Sequence, residues 1–136
     1  MILSILGTVY CNAAQIPSWY LSPYAGNVAP AANWTGANYT ANATEITSTV
    51  QGYSEATRQL FVHGTPAAGA VDNSASKATF SIVCSGTLNI YGAGLTSSNV
   101  RGGTSGVLAS AVKFATLRVA NNGDPWQCQY VVDLAD

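Results

Sequence analysis

A chain of 136 residues has the length of one domain, and its 48% apolar content excludes a disordered polymer. Charged residues make up only 8%, against about 25% in typical soluble domains. The net charge of −1 is scattered: Arg58, Lys77, Arg101, Lys113 and Arg118 form no basic stripe, which argues against a nucleic-acid partner, and no acidic run forms a solvating tail.

Ser, Thr, Asn and Gly stand where charge is usual. Such a surface hydrogen-bonds but repels its neighbours little, as suits a surface meant to be partly covered. In chain order, the pattern predicts a first strand over Ile2–Tyr10. No Lys or Arg precedes this apolar stretch, Ser4 and Gly7 break it, and it is too short to span a bilayer, so it is expected to be an unprocessed terminus with no membrane partner. A second strand, Trp19–Tyr24, is flanked and broken by Pro17 and Pro23, which predicts an edge position. From Ser22 to Thr44 the chain is rich in Pro, Asn, Ala and Gly without a period. It reads as a long loop excursion, of the kind that serves interaction in compact domains.

Regularity returns at Glu45–Gln51, β-branched and polar, expected to expose one face, and at Arg58–His63. Ala78, Phe80, Ile82 and Cys84 share one face of a strand, and Leu88–Tyr91 leads into Gly92 and Gly94, where a bulge or close backbone approach is expected. Ala111–Val119 is apolar on both faces, as a central strand is, and Cys128, Tyr130, Val132 and Leu134 form the last alternation. Helix signals are weak, and Ser105–Ala111 is the one stretch that suits a single turn. Short strands at regular spacing, without a repeat or linker, predict one domain over residues 1–136: an all-β antiparallel sandwich of about eight strands, jelly-roll-like or Ig-like.

Chemistry-bearing residues are sparse. His63, Asp72 and Ser74 contain the elements of a hydrolytic triad, but Ser74 lies in the turn Asp72-Asn73-Ser74 without the strained elbow that presents a nucleophile. His63, before Gly64-Thr65-Pro66, reads as a surface residue at a strand end. Glu45 and Glu55, the only glutamates, fall in polar segments that look solvated, not opposed across a sugar. Acidic residues do not cluster as metal ligands do, and Arg101-Gly102-Gly103-Thr104 lacks the Lys and helix of a phosphate loop. Three sequons, at Asn33, Asn38 and Asn42, matter only in a glycosylating host. Cys84 and Cys128 are in phase with apolar faces and read as buried thiols; a disulfide with each other or with Cys11 requires Cα atoms under about 7 Å apart. No catalytic residue, cofactor or metal is therefore expected.

The aromatics Trp19, Tyr20, Tyr24, Trp34 and Tyr39 gather around the excursion. They suit a protein-contact anchor or a sugar-stacking platform, or they plug one end of the sandwich.

Four blocks stand out further: Tyr53-Ser54-Glu55-Ala56-Thr57-Arg58, Val71 to Phe80, Ile90-Tyr91-Gly92-Ala93, and Arg101-Gly102-Gly103-Thr104-Ser105-Gly106-Val107-Leu108. In order and rough spacing they resemble small virion structural proteins of tailed bacteriophages, over about the C-terminal two-thirds of the chain. The position of Arg101 carries Lys in those proteins, and the N-terminal third matches only around Trp19-Tyr20. The resemblance implies a non-enzymatic virion protein assembled in the bacterial cytoplasm, most concretely a capsid decoration or cement protein contacting the major capsid protein or another virion protein and itself as a homo-oligomer. A tail or fibre module that binds a host-surface glycan, and a secreted surface or filament subunit, remain the alternatives. Partner contacts are expected on Asn27–Thr44 and on the N-terminal strand, so deleting Asn27–Thr44 should spare the fold.

Overall fold

The computed structural model describes residues 10–133, so the strand expected over Ile2–Tyr10 lies, except for Tyr10, outside the described residues, as does Leu134. The molecule is all-β, with every strand pair antiparallel. In chain order the elements are β1 (Tyr20–Tyr24), α1 (Tyr39–Ala43), β2 (Gly52–Tyr53), β3 (Gln59–Leu60), β4 (Ala70–Asp72), β5 (Ala78–Val83), β6 (Thr87–Thr96), β7 (Leu108–Asn121), β8 (Pro125–Cys128) and β9 (Val131–Asp133). They form a four-stranded sheet in the order β3-β1-β6-β7, a three-stranded sheet β2-β5-β8 and a β4-β9 pair.

The main core lies between the two larger sheets. Leu21 of β1 and Leu88, Ile90, Ala93 and Leu95 of β6 meet Tyr53 of β2 and Ala78, Phe80 and Ile82 of β5. The alternation in β5 explains its half: Ala78, Phe80 and Ile82 turn inward and Cys84 continues the face, while Ser81 is exposed. Residues 88 and 90 differ in parity from 93 and 95, yet all four reach the same core. A register break between Ile90 and Gly92 accounts for this, as the glycines foretold. At that break Phe114–Leu117 of β7 stand opposite Tyr91 alone.

Two strand positions differ from expectation. β1 lies inside the sheet, with β3 on one side and β6 on the other. Pro23 is tolerated there because its carbonyl, and hence its nitrogen, faces away from β6, toward the Ile46 N–H that bonds it. β7, expected to be central, is the sheet's edge, paired among the described residues with β6 alone. It is apolar on both faces for another reason. Ala109, Phe114 and Ala120 serve the main core, Leu108 and Ala111 serve a second cluster on the opposite face, and Val112 and Val119 stand in solvent.

The remaining segments are shorter than the sequence suggested. Of Glu45–Gln51, only Glu45 bridges to Tyr24, and the chain turns from Thr49; of Arg58–His63, only Gln59–Leu60 is strand. Ser105–Ala111 holds no helical turn, because β7 begins at Leu108; the short helix α1 lies instead inside the excursion. Cys84 and Cys128 are buried free thiols and Cys11 is exposed and free.

Candidate functional site

The excursion is not a surface loop. Tyr24, Trp34, Tyr39, Ala43 and Leu108 form a second buried cluster on the outer face of the β1-β6-β7 sheet, with Val28, Tyr91 and Ala111 against it. The rings of Tyr24, Trp34 and Tyr39 meet pairwise edge to face, with centroids 6.1 to 6.3 Å apart. Tyr39 donates to the Ser22 carbonyl at 2.6 Å and Tyr24 to the Val112 carbonyl at 3.1 Å, so both hydroxyls are anchored to strands. Gly92 and Gly94 make the seat: a Cβ on Gly92 would collide with the Tyr24 ring and the Val112 carbonyl, and one on Gly94 would sit 2.7 Å from the Tyr39 ring. Burial drives the Tyr24 phenol up to about 12 and the Tyr39 phenol well above its ordinary value.

This corrects the contact assignment for three of the five aromatics. Tyr24, Trp34 and Tyr39 are buried and offer no face to a partner; they plug the sheet, the third of the roles open to them. Trp19 and Tyr20 are half-buried at its other end. Asn27–Thr44 accordingly supplies Trp34, Tyr39 and Ala43 to the core although most of its positions are exposed, and its deletion would remove most of the second cluster and not merely a docking loop.

Beneath the aromatic cluster lies a buried ion pair. The Glu45 carboxylate accepts from Arg58 Nε and Nη2, both at 2.7 Å, from Ser22 Oγ at 2.7 Å, from Thr40 Oγ1 at 2.8 Å and from the Gly102 N–H at 3.1 Å. Arg58 spends its remaining donors on Thr96 Oγ1, the Ser98 carbonyl and the Gly103 carbonyl. The side chains of Arg58 and Glu45 are 1% and 0% exposed, so the expectation of a solvated Glu45 is overturned. Burial pushes the Glu45 carboxyl up, but Arg58, Ser22 and Thr40 together outweigh it and hold it below its ordinary value. The pair ties β1, α1 and the 101–103 turn to one point. Its only trace in the sequence is an isolated Glu beside Ile46 in a chain that has few charges to spend.

The other chemistry-bearing groups are also engaged by partners within the chain, some of them at the surface. Arg101 lies over the Tyr53 ring at 3.8 Å and donates to the carbonyls of Tyr53, Glu55 and Ser48, which makes it a clamp on the segment 48–55. Glu55 accepts from the Ser81 N–H and Oγ, and these bonds outweigh its partial burial to lower its pKa. Ser74 Oγ donates to Asp72, lowering that carboxyl, whereas the exposed His63 ring contacts the Gly64 carbonyl; no triad is assembled. Buried Asn73 donates to the Cys128 carbonyl and accepts from the Tyr130 N–H, which pins the 72–74 turn to the sheet. Among the described residues, no group of three or more His, Cys, Asp or Glu side chains is placed to hold a metal ion, and no helix is long and apolar enough to cross a membrane.

The surface carries the opposite character. Leu60 and Val62 are 47% and 45% exposed, Val100, Val119 and Val131 more than half, and Val112 nearly so. A groove of about 540 Å³ runs between residues 15–19, Leu60 to His63, Val71 and Val132. A shallower hollow lies between Ser110–Phe114 of β7 and residues 129–133. A scan against protein-family models finds no match for the chain, and a search of curated proteins finds none either.

Proposed function

We propose that this protein is a non-enzymatic structural subunit that works by surface contact, most concretely a virion protein that decorates or cements a phage capsid through contacts with the major capsid protein and with copies of itself. The observation that carries the contact reading is the inversion just described. Glu45 and Arg58 are buried against each other and Arg101 is spent on backbone carbonyls, while valines and a leucine stand exposed on a surface with little charge. The virion assignment rests on the four sequence blocks. Their placement agrees with a frame built for rigidity: Arg101 of the last block clamps Tyr53 and Glu55 of the first, and Arg58 of the first bonds Gly103 of the last.

Contacts of this kind would draw strength from symmetric repetition, not from one strong site. The exposed face of β7 and the neighbouring groove replace the excursion as the contact surface. The glycan-binding alternative loses its platform, since Trp34, Tyr24 and Tyr39 are buried. Quantitative mass spectrometry of purified particles tests the reading. Hundreds of copies per particle are expected of a shell protein; a few dozen would move it to the tail, and absence from particles would overturn it.

A further inference from the structure

The turn between β7 and β8 carries the one asparagine of the chain that is followed by glycine, Asn122-Gly123, and both residues are exposed. Such a pair can react with itself and with water. The Gly123 nitrogen, once it has given its proton to solvent, attacks Cγ of the Asn122 side chain. The bond from Cγ to the side-chain nitrogen breaks, and that nitrogen leaves as ammonia. Water then opens the succinimide ring at either carbonyl, which leaves aspartate or isoaspartate at position 122. Glycine permits the attack because no Cβ screens its nitrogen. The surroundings are open as well, with no heavy atom within 4 Å of where a Cβ on Gly123 would stand.

The fold ties both reacting groups to other partners. The Gly123 N–H donates to the Ile82 carbonyl at 2.8 Å, and Asn122 Oδ1 accepts from the Cys84 N–H at 3.1 Å. The turn is closed by the Asp124 N–H on the Asn121 carbonyl at 3.1 Å, with Gly123 at φ 86° in its third position, as a type II turn requires. Asp124 Oδ2 caps it by accepting from the Asn121 N–H at 2.8 Å, and the Asp124 carbonyl accepts from the Ile82 N–H at 3.0 Å. We propose that Asn122 is a self-modification site gated by this turn, dormant while it is pinned and released to deamidate when it opens. Attack requires the Gly123 nitrogen free of Ile82 and the Asn122 side chain free of Cys84. Both bonds run to one end of β5, so a single local opening removes them together. Isoaspartate lengthens the main chain by one carbon inside the turn, so conversion records the opening irreversibly. The inference does not depend on the virion reading, which copy counting tests separately.

Peptide mass spectrometry with electron-transfer fragmentation, which separates isoaspartate from aspartate, reads the site directly. The full chain would be held in mildly alkaline buffer, folded in one sample and unfolded by guanidinium chloride in the other. Conversion at Asn122 should run at least roughly tenfold slower in the folded chain, because it waits on the opening. Equal rates, or no conversion in the unfolded chain, would overturn the proposal. Asp124→Ala removes the cap on the Asn121 N–H and leaves the Asn122-Gly123 pair itself unchanged. Conversion in the folded variant should rise severalfold, whereas an unchanged rate would put the protection outside this turn and sink the gating.

Discussion

Two regions of the four-stranded sheet, the surroundings of α1 and the strands β7 and β3, teach different lessons about how this chain spends its side chains. Around α1, groups that look suited to recognition, three aromatic rings and an ion pair, are turned inward and satisfied by one another. Along β7 and in and just after β3, groups that look suited to a core, Val112, Val119, Leu60 and Val62, are exposed. With few charges available, the molecule uses its polar and aromatic groups to fix a long irregular segment and leaves aliphatic ones to meet solvent or neighbours. The excursion needs those polar anchors because backbone that is neither helix nor sheet must find other partners once it is buried.

Breaking the inward half at Arg58 should have the largest effect. Arg58→Met leaves Glu45 buried without its counter-charge, a change that typically costs about 3–5 kcal/mol. Urea denaturation should show that loss, together with faster hydrogen exchange in α1 and in the 101–103 turn. The double variant Arg58→Met, Glu45→Gln removes the charge as well as its partner and should recover much of the loss. If the single and double variants are equally unstable, the cost lies in packing and not in the uncompensated carboxylate.

How much of this contrast the sequence revealed depends on the range of the interaction. The inward set Ala78, Phe80, Ile82 and Cys84 was legible because alternation is local, and Gly92 and Gly94 announced a close approach because nothing larger fits under Tyr24 and Tyr39. The blocks around Arg58 and Arg101 marked a frame, although nothing local said that they touch. What stayed hidden was non-local. Glu45 meets Arg58 across 13 positions and the Gly102 amide across 57, and no periodicity encodes such a meeting. Trp34 and Tyr39, set among Asn, Gly and Thr, look like solvent-facing anchors until the sheet face that receives them is built. β7 misled because a strand feeding two cores through different residues has the same pattern as one buried on both sides.

The ion pair also gives the inward half a pH dependence. The Glu45 carboxyl has a lower pKa in the folded chain than in the unfolded one, so the unfolded state takes up protons first as the solution is acidified. Its stabilising contribution is therefore complete above the ordinary carboxylate range and is lost as pH falls through that range to the lowered folded value. Glu55 and Asp72 are lowered too and add slopes of the same sign. Denaturation midpoints measured between pH 7 and pH 3 should fall on acidification, and Glu45→Gln should remove the part of the slope that belongs to the pair. A slope unchanged by that substitution would assign the acid sensitivity to the other two carboxylates.

The outward half should respond least in stability and most in association. Val119 is 55% exposed and Val112 is 42% exposed on the edge strand, and each sits away from both buried clusters. Val119→Thr and Val112→Thr keep the β-branched shape and should shift stability by no more than about 0.5 kcal/mol, as surface substitutions usually do. Self-pairing through the outer backbone edge of β7 is already discouraged, since Lys113, Arg118 and the irregular stretch Phe114–Leu117 blunt it. Association by this strand would then use its exposed side chains, and the two threonine variants should weaken concentration-dependent assembly, read by sedimentation, while leaving the melting curve in place. Should both variants assemble as the parent does, the exposed valines of β7 are ordinary surface and the contacts must be sought at the groove.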